Sequence, residues 1–172
     1  ALLLRDYDMQ VNSIKLEREI AQGLPAVSGD PHQLEQVFLN IINNALDAMM
    51  DESRPEGSER KLVVRVRANA EHVTLEFQDS GPGLKEPNRI FEPFYTTKDV
   101  GKGTGLGLSI CYGIVKEHSG EIAARNAEGG GAIIEVRLPS SGRLAAPETV
   151  STTHKRDGAL HGSILLVEDE EA

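Results

Sequence analysis

The chain has 172 residues, a formal net charge of −9 and one cysteine, Cys111. It can bury a sizeable core around one ordinary domain with some residues left over. The acidic balance excludes a general nucleic-acid role, which needs a basic face, and a lone cysteine excludes an internal disulfide or a multi-cysteine metal centre, in keeping with a reducing cytosol. No apolar run approaches the roughly eighteen residues of a membrane span, and no signal peptide precedes the first element, so cytoplasmic placement without membrane insertion is expected.

Residues 1–13 read as the end of a helix that began earlier, and the chain as a piece of something longer. Ile14 to Ile20 predicts an edge strand with Ile14, Leu16 and Ile20 on one face. Asp30-Pro31 then offers an N-cap and an N1 proline, with Gln33 as capping-box partner. Leu34, Val37, Phe38, Ile41, Ile42, Ala45, Leu46 and Met49 follow at helical spacing. Strands are predicted over 61–67 and 72–79, joined by a hairpin, and 85–102 is loop-like. A second helix spans about Leu106 to Ser119, with Ile110, Cys111, Ile114 and Val115 inward and Gly120 as its stop. Residues 121–126 and 132–138 form a hairpin across Gly129–Gly131. From 140 to 162 the composition is that of a flexible linker, and Ser163 to Val167 is a short buried-type strand running into acidic residues.

Four stretches carry chemistry. On the first long helix, Gln36, Asn40, Asn44 and Asp47 form a stripe nearly opposite the apolar face. Such a stripe is ordinarily a solvated face. Asn is a mediocre helix former, however, and Asn40, Asn43 and Asn44 together suggest that carboxamides are wanted for ligand geometry. A neutral oxygen donor suits Mg²⁺, which keeps several waters and takes charge from substrate phosphates. Asp79-Ser-Gly-Pro-Gly83 ends a strand in a turn. Its Asp is either a turn former or a carboxylate that accepts a hydrogen bond from an exocyclic amine, with Gly81 and Gly83 admitting a planar base. Gly103-Thr-Gly-Leu-Gly107 precedes a helix and exposes backbone N–H groups at its positive end, an anion site without Walker or dinucleotide spacing. Lys98 and Lys102 lie just before it, as solvated loop lysines or as added charge for a polyphosphate.

Together these residues resemble the ATP-binding catalytic domain of two-component sensor histidine kinases, within the superfamily that includes gyrase and mismatch-repair ATPases. The resemblance covers roughly residues 14–139. Asn40-Ile-Ile-Asn-Asn-Ala45 resembles the N box, Asp79 to Gly83 the G1 box, Ile90-Phe-Glu-Pro-Phe94 the F box, and Gly103 to Leu108 the G2 box. The implied fold is an α/β (α+β) two-layer sandwich, a mixed sheet covered on one face by helices, with a mobile lid between the F and G2 boxes. The implied ligands are ATP and Mg²⁺. Asn44 would bind the metal, Asn40 would act beside it, and Asp79, Gly81 and Gly83 would hold adenine. Tyr95 and Thr97 would flank the nucleotide, while Lys102, Gly103, Thr104, Gly105, Leu106, Gly107 and Leu108 would hold phosphates. Many members carry Lys where Asp47 stands and a basic residue where Thr96 stands, so Lys98 is the implied substitute in the catalytic set. Ala132 stands where Thr is common. The run from Asn44 to Met49 with Phe94-Tyr-Thr-Thr-Lys98 is similar to the nitrogen-regulatory type. Ser163 to Glu170 resembles the first strand and acidic pocket of a receiver domain, with Glu168 and Asp169 matching its acids.

The implied reaction passes the γ-phosphoryl group of ATP to a histidine on the protein's own helical dimerisation domain, with a response-regulator receiver as the next partner. None of His32, His72, His118, His154 or His161 has the acceptor context of His followed by an acid near a helix-kinking proline. An ATPase of the gyrase kind would carry a water-activating Glu where Asn40 stands, and an amide cannot take that proton. An anti-sigma-type serine kinase and a non-catalytic nucleotide-binding module are the remaining alternatives.

Overall fold

The computed structural model describes residues 1–2, 5–50, 58–98, 103–144, 163–164 and 167–168. Lys102, His154, His161, Asp169, all of lid residues 99–102 and the linker from 145 onward therefore lie outside the described residues. The elements are α1 (Asp6–Val11), β1 (Ile14–Ile20), β2 (Pro25–Val27), α2 (Pro31–Met49), β3 (Arg60–Ala68), β4 (His72–Asp79), α3 (Gly107–Glu117), β5 (Glu121–Asn126), β6 (Ala132–Leu144), β7 (Ser163–Ile164) and β8 (Val167–Glu168).

The sheet runs β1-β3-β4-β6-β2, with β5 also paired to β6. β1 and β3 are parallel and the other pairs antiparallel, so the sheet is mixed, as expected. A parallel pair needs a long crossover, and α2 lies within it. Strand alternation sends Leu62, Val64 and Val66 of β3, Val73, Leu75 and Phe77 of β4 and Ile134, Val136 and Leu138 of β6 into the core. The eight apolar residues predicted on α2 are all buried there, and Phe38 meets Phe77 with ring centroids 6.0 Å apart.

The other face of the sheet is open and polar. Its two buried apolar residues, Val63 and Ile133, flank Gln78 in register. Arg65 reaches over this row to Gln78 at 2.7 Å and Glu76 at 2.8 Å, and Arg125 joins the far oxygen of Glu76 at 2.7 Å. Long guanidinium side chains roof the apolar pair with their stems while their heads stay paired.

Several details differ from expectation. β2 carries too few residues to show alternation, and its pairing carries β6 on to Leu144, past the start of the predicted linker. Ile20, at the end of the edge strand, is 52% exposed rather than inward. Asp30 caps α2 through His32 and Gln33 N–H. The return half of the capping box is supplied by His118 in place of Gln33: Asp30 N–H donates to His118 Nε2 at 3.0 Å. His118 Nδ1 then bonds Ile114 O at 2.8 Å, which closes α3. Helix α3 ends two residues earlier than predicted, and the left-handed residue after it is Ser119, at φ 55°. Gly120 is needed for a different reason, since a Cβ there would lie 2.5 Å from Arg137 O. Residues 163–164 and 167–168 pair with each other in a two-stranded antiparallel ladder, in place of one strand.

Cys111 is fully buried between the helices, its thiol donating to Val37 O at 3.6 Å. Burial pushes the thiol up to about 11, with a hydrogen bond from Asn40 acting the other way. A group whose folded value is raised stabilises the fold below its unfolded value, near 9, and loses that contribution as pH rises through about 11. Unfolding free energy should therefore fall between these limits by about 2–3 kcal/mol more in the native chain than in Cys111→Ala. Parallel pH profiles for the two proteins in urea denaturation would contradict this.

Candidate functional site

The site is assembled where the α2 polar stripe, the β4 exit and the α3 start converge. Asn40 and Asn44 are half-buried one turn apart on α2. Asn40 Nδ2 donates to Gly107 O at 3.3 Å. A Cβ on Gly107 would lie 3.9 Å from both Asn40 Cγ and Asn44 Nδ2, so the start of α3 faces these two carboxamides. The free N–H groups and positive dipole end of α3 are thereby brought beside the oxygen donors of α2.

Asp79 is the buried charged residue of the described core, 7% exposed at the end of β4. Its Oδ1 accepts Gly81 N–H at 2.7 Å and Ala132 N–H at 3.2 Å. The turn packs onto the end of α2, since a Cβ on Gly81 would sit 3.0 Å from Ala48 Cβ and 3.1 Å from Ala48 O. Gly83 has φ +85°. Beyond it, Asn126 clasps the Leu84 backbone from both sides, accepting its N–H at 2.6 Å and donating to its carbonyl at 3.0 Å.

The remaining predicted residues form the approach to α3. Phe94 N–H donates to Gly105 O at 3.0 Å, with Phe94 at φ 66° and Gly105 at φ +66°. A Cβ on Gly105 would fall 2.5 Å from Phe94 C, so only glycine fits. Gly103 lies against Thr96 Oγ1 and the Lys98 stem. Thr104 Oγ1 accepts Leu106 N–H at 3.3 Å, and Leu108 packs against the core. Lys98 Nζ pairs with Asp47 Oδ2 at 2.5 Å. Tyr95 is drawn to another neighbour: its hydroxyl donates to Glu86 at 3.3 Å and Arg89 lies 5.0 Å over its ring. Thr97 is exposed. Ile110, expected inward, is 41% exposed in the first turn of α3, while Tyr112, 43% exposed, packs its ring against Phe91.

Sequence reasoning passed over Ala48, Asn126 and Gly131. Of the three successive glycines only Gly131 meets a close neighbour, since a Cβ there would stand 1.9 Å from Asp79 O. No local signal separates it from Gly129 and Gly130, which have open space around them.

The donor set suits a hard cation held mainly by other ligands. Among the described residues no group of three or more His, Cys, Asp or Glu could hold a metal. The chain's own oxygens beside the α3 start are the carboxamides of Asn40 and Asn44, which fits Mg²⁺ that keeps waters and binds phosphates. Among the described residues no helix is long and apolar enough to cross a membrane.

Known proteins share this chain's sequence and fold. Residues 29–142 match the family described as histidine kinase-, DNA gyrase B-, and HSP90-like ATPase. The sensor kinase CckA of Brucella abortus is 36% identical over 176 residues, covering 92% of this chain and 19% of that protein. The chain spans less than a fifth of the length of the first curated relatives it matches. The nucleotide-free catalytic domain of histidine kinase ThkA superposes with a TM-score of 0.69 at 30% identity, covering 81% of this chain and 88% of that one. ThkA in complex with the response regulator TrrA gives a TM-score of 0.66 at 26% identity, covering 82% and 38%.

Gly131→Ala should destabilise the fold by at least about 3 kcal/mol, because the new methyl group must displace the Asp79 backbone as well as strain φ. Gly130→Ala, with φ +104° and nothing within 4 Å, isolates the strain alone. Equal losses in chemical denaturation would show that the close approach to Asp79 carries no weight.

Proposed function

The chain belongs to the family of histidine kinase-, DNA gyrase B-, and HSP90-like ATPases, and we propose that it binds Mg²⁺·ATP as the catalytic part of a two-component sensor histidine kinase. The observation that carries this reading is the meeting of Asn40 and Asn44 with Gly107. It brings neutral metal-type donors beside helix N–H groups, and the Asp79 turn packs on Ala48 of the same helix, which supports reading the two as one site. Asp79 holds its Oδ1 on two backbone N–H groups, which orients the carboxylate toward an adenine amine. Gly105 and Gly107 keep side chains away from the phosphate path. Bound Mg²⁺ supplies charge neutralisation and orientation of the phosphates.

The reaction is phosphoryl transfer rather than hydrolysis. Asn40 occupies the place of a water-activating glutamate, and a carboxamide cannot accept a proton from water. Positioning and charge neutralisation suffice for transfer when the nucleophile arrives on another domain. Exposed Phe94, joined to the loop before α3, and exposed Ile110, in the first turn of α3, suit a helical dimerisation domain carrying the acceptor histidine. Phe94 joins the site directly through Gly105, so a helix docked there would present its histidine at the phosphate end.

Three finer points follow from the sequence. The run from Asn44 to Met49 with Phe94-Tyr-Thr-Thr-Lys98 supports the nitrogen-regulatory type. Glu168 and Asp169 after Ser163-Ile-Leu-Leu-Val167 support the start of a receiver domain and a hybrid kinase. The 92% coverage of this chain in the match to CckA runs beyond residue 142, which supports the tail as part of such a protein. The cytoplasm, where ATP and reduced Cys111 coexist, is the place of action.

Asp79→Asn should weaken ATP and adenosine alike, about ten- to a hundredfold in Kd, because an amide presents a donor where the adenine amine needs an acceptor. Unchanged affinity by calorimetry would remove the adenine assignment. With a supplied helical acceptor domain the chain should transfer the phosphoryl group, and Ile110→Ala should slow transfer about tenfold at unchanged ATP affinity. Rapid ATP hydrolysis without acceptor would overturn the kinase reading.

A further inference from the structure

Asp47 has no role in the reading above, yet it stands on the same stripe of α2 as Asn40 and Asn44, one turn beyond Asn44. Its carboxylate is 58% exposed and holds Lys98 Nζ at 2.5 Å. Lys98 is 35% exposed, and its stem lies against Gly103, where a Cβ would meet Lys98 Cδ at 3.1 Å. The lysine thus bridges the acidic end of the asparagine stripe and the first glycine of the loop that leads to α3. Thr96 Oγ1 accepts Lys98 N–H at 3.2 Å, which fixes the backbone from which the side chain reaches.

We propose that the Asp47–Lys98 pair is an internal stand-in for polyphosphate, in which Asp47 holds the ammonium until a nucleotide phosphate takes it over, so that Asp47 sets how tightly the chain binds the phosphates of its nucleotide. This rests on the nucleotide reading above. The physical basis is competition. A lysine ammonium is a compact charge on a flexible stem with three donors, able to change partners without backbone movement. An exposed ion pair holds it only weakly, so a polyphosphate with more charge and more acceptor oxygens displaces the carboxylate. Once displaced, Asp47 remains beside the asparagines as an uncompensated negative charge, which opposes phosphate a second time. Both effects make Asp47 a determinant of phosphate affinity, and neither touches the adenine end, where Asp79 is held by Gly81 and Ala132 N–H.

The test is a double-mutant cycle read by calorimetry with two probes, ADP and adenosine, in the presence of a chelator. Asp47→Asn should bind ADP about three- to tenfold more tightly than the native chain, with adenosine unchanged and the ADP gain shrinking at high salt. Asp47→Glu should restore native affinity. In Lys98→Ala, ADP should weaken, and adding Asp47→Asn to it should recover clearly less than the gain seen with Lys98 present. An equal gain with and without Lys98 would show simple repulsion and overturn the stand-in. Native ADP affinity in Asp47→Asn would overturn the inference while leaving the nucleotide reading intact. Failure of the native chain to bind either probe would sink that reading itself, and this inference with it.

Discussion

A buried carboxylate needs partners, and the way Asp79 obtains them organises the molecule. Burying a charge is costly unless it is hydrogen-bonded. Asp79 finds Gly81 N–H in its own turn and Ala132 N–H at the start of β6. The second bond requires β6 to pass directly beneath the end of β4, which only Gly131 permits. The same turn rests on Ala48 of α2, so strand exit, neighbouring strand and helix are fixed around one side chain. The proposed binding group is therefore also a packing constraint.

The second half of the site has a different basis. It depends on helix α3 starting against the polar stripe of α2, a contact made by Asn40 and Gly107 and anchored from below by Cys111 against Val37. At the far end His118 ties the close of α3 to the start of α2 through Asp30. The two helices are thus pinned at both ends across their buried faces. Loops can then vary between them while the carboxamides keep their distance from the α3 N–H groups.

The sequence made α2 legible because its cap, its N1 proline and its period all agree, and every predicted core residue on it is buried. The family was legible from four differently built motifs in a fixed order, and the family match over residues 29–142 spans all four. Other features rest on contacts distant in sequence. Asp30 and His118 meet across 88 positions, which no capping rule anticipates. Asn126 grips Leu84 from 42 positions away. Ile110 followed the helical period correctly, yet it lies in the first turn of α3 at the open end of the site, where no layer covers it. β2 was missed because Pro25-Ala-Val27 has no pattern of its own and is a strand only through β6.

The central claim is that the Asp79 turn and the Asn40–Asn44–Gly107 junction are two ends of one nucleotide pocket. Amide and side-chain carboxamide chemical shifts on titration with adenosine, and then with Mg²⁺·ADP, test it most directly. Adenosine should move Gly81, Gly83 and Ala132 alone. Mg²⁺·ADP should move those and, in addition, Gly105, Gly107 and the carboxamides of Asn40 and Asn44. Carboxamide shifts that stay still with Mg²⁺·ADP, or that move equally with adenosine, would contradict a shared pocket with separate base and phosphate ends.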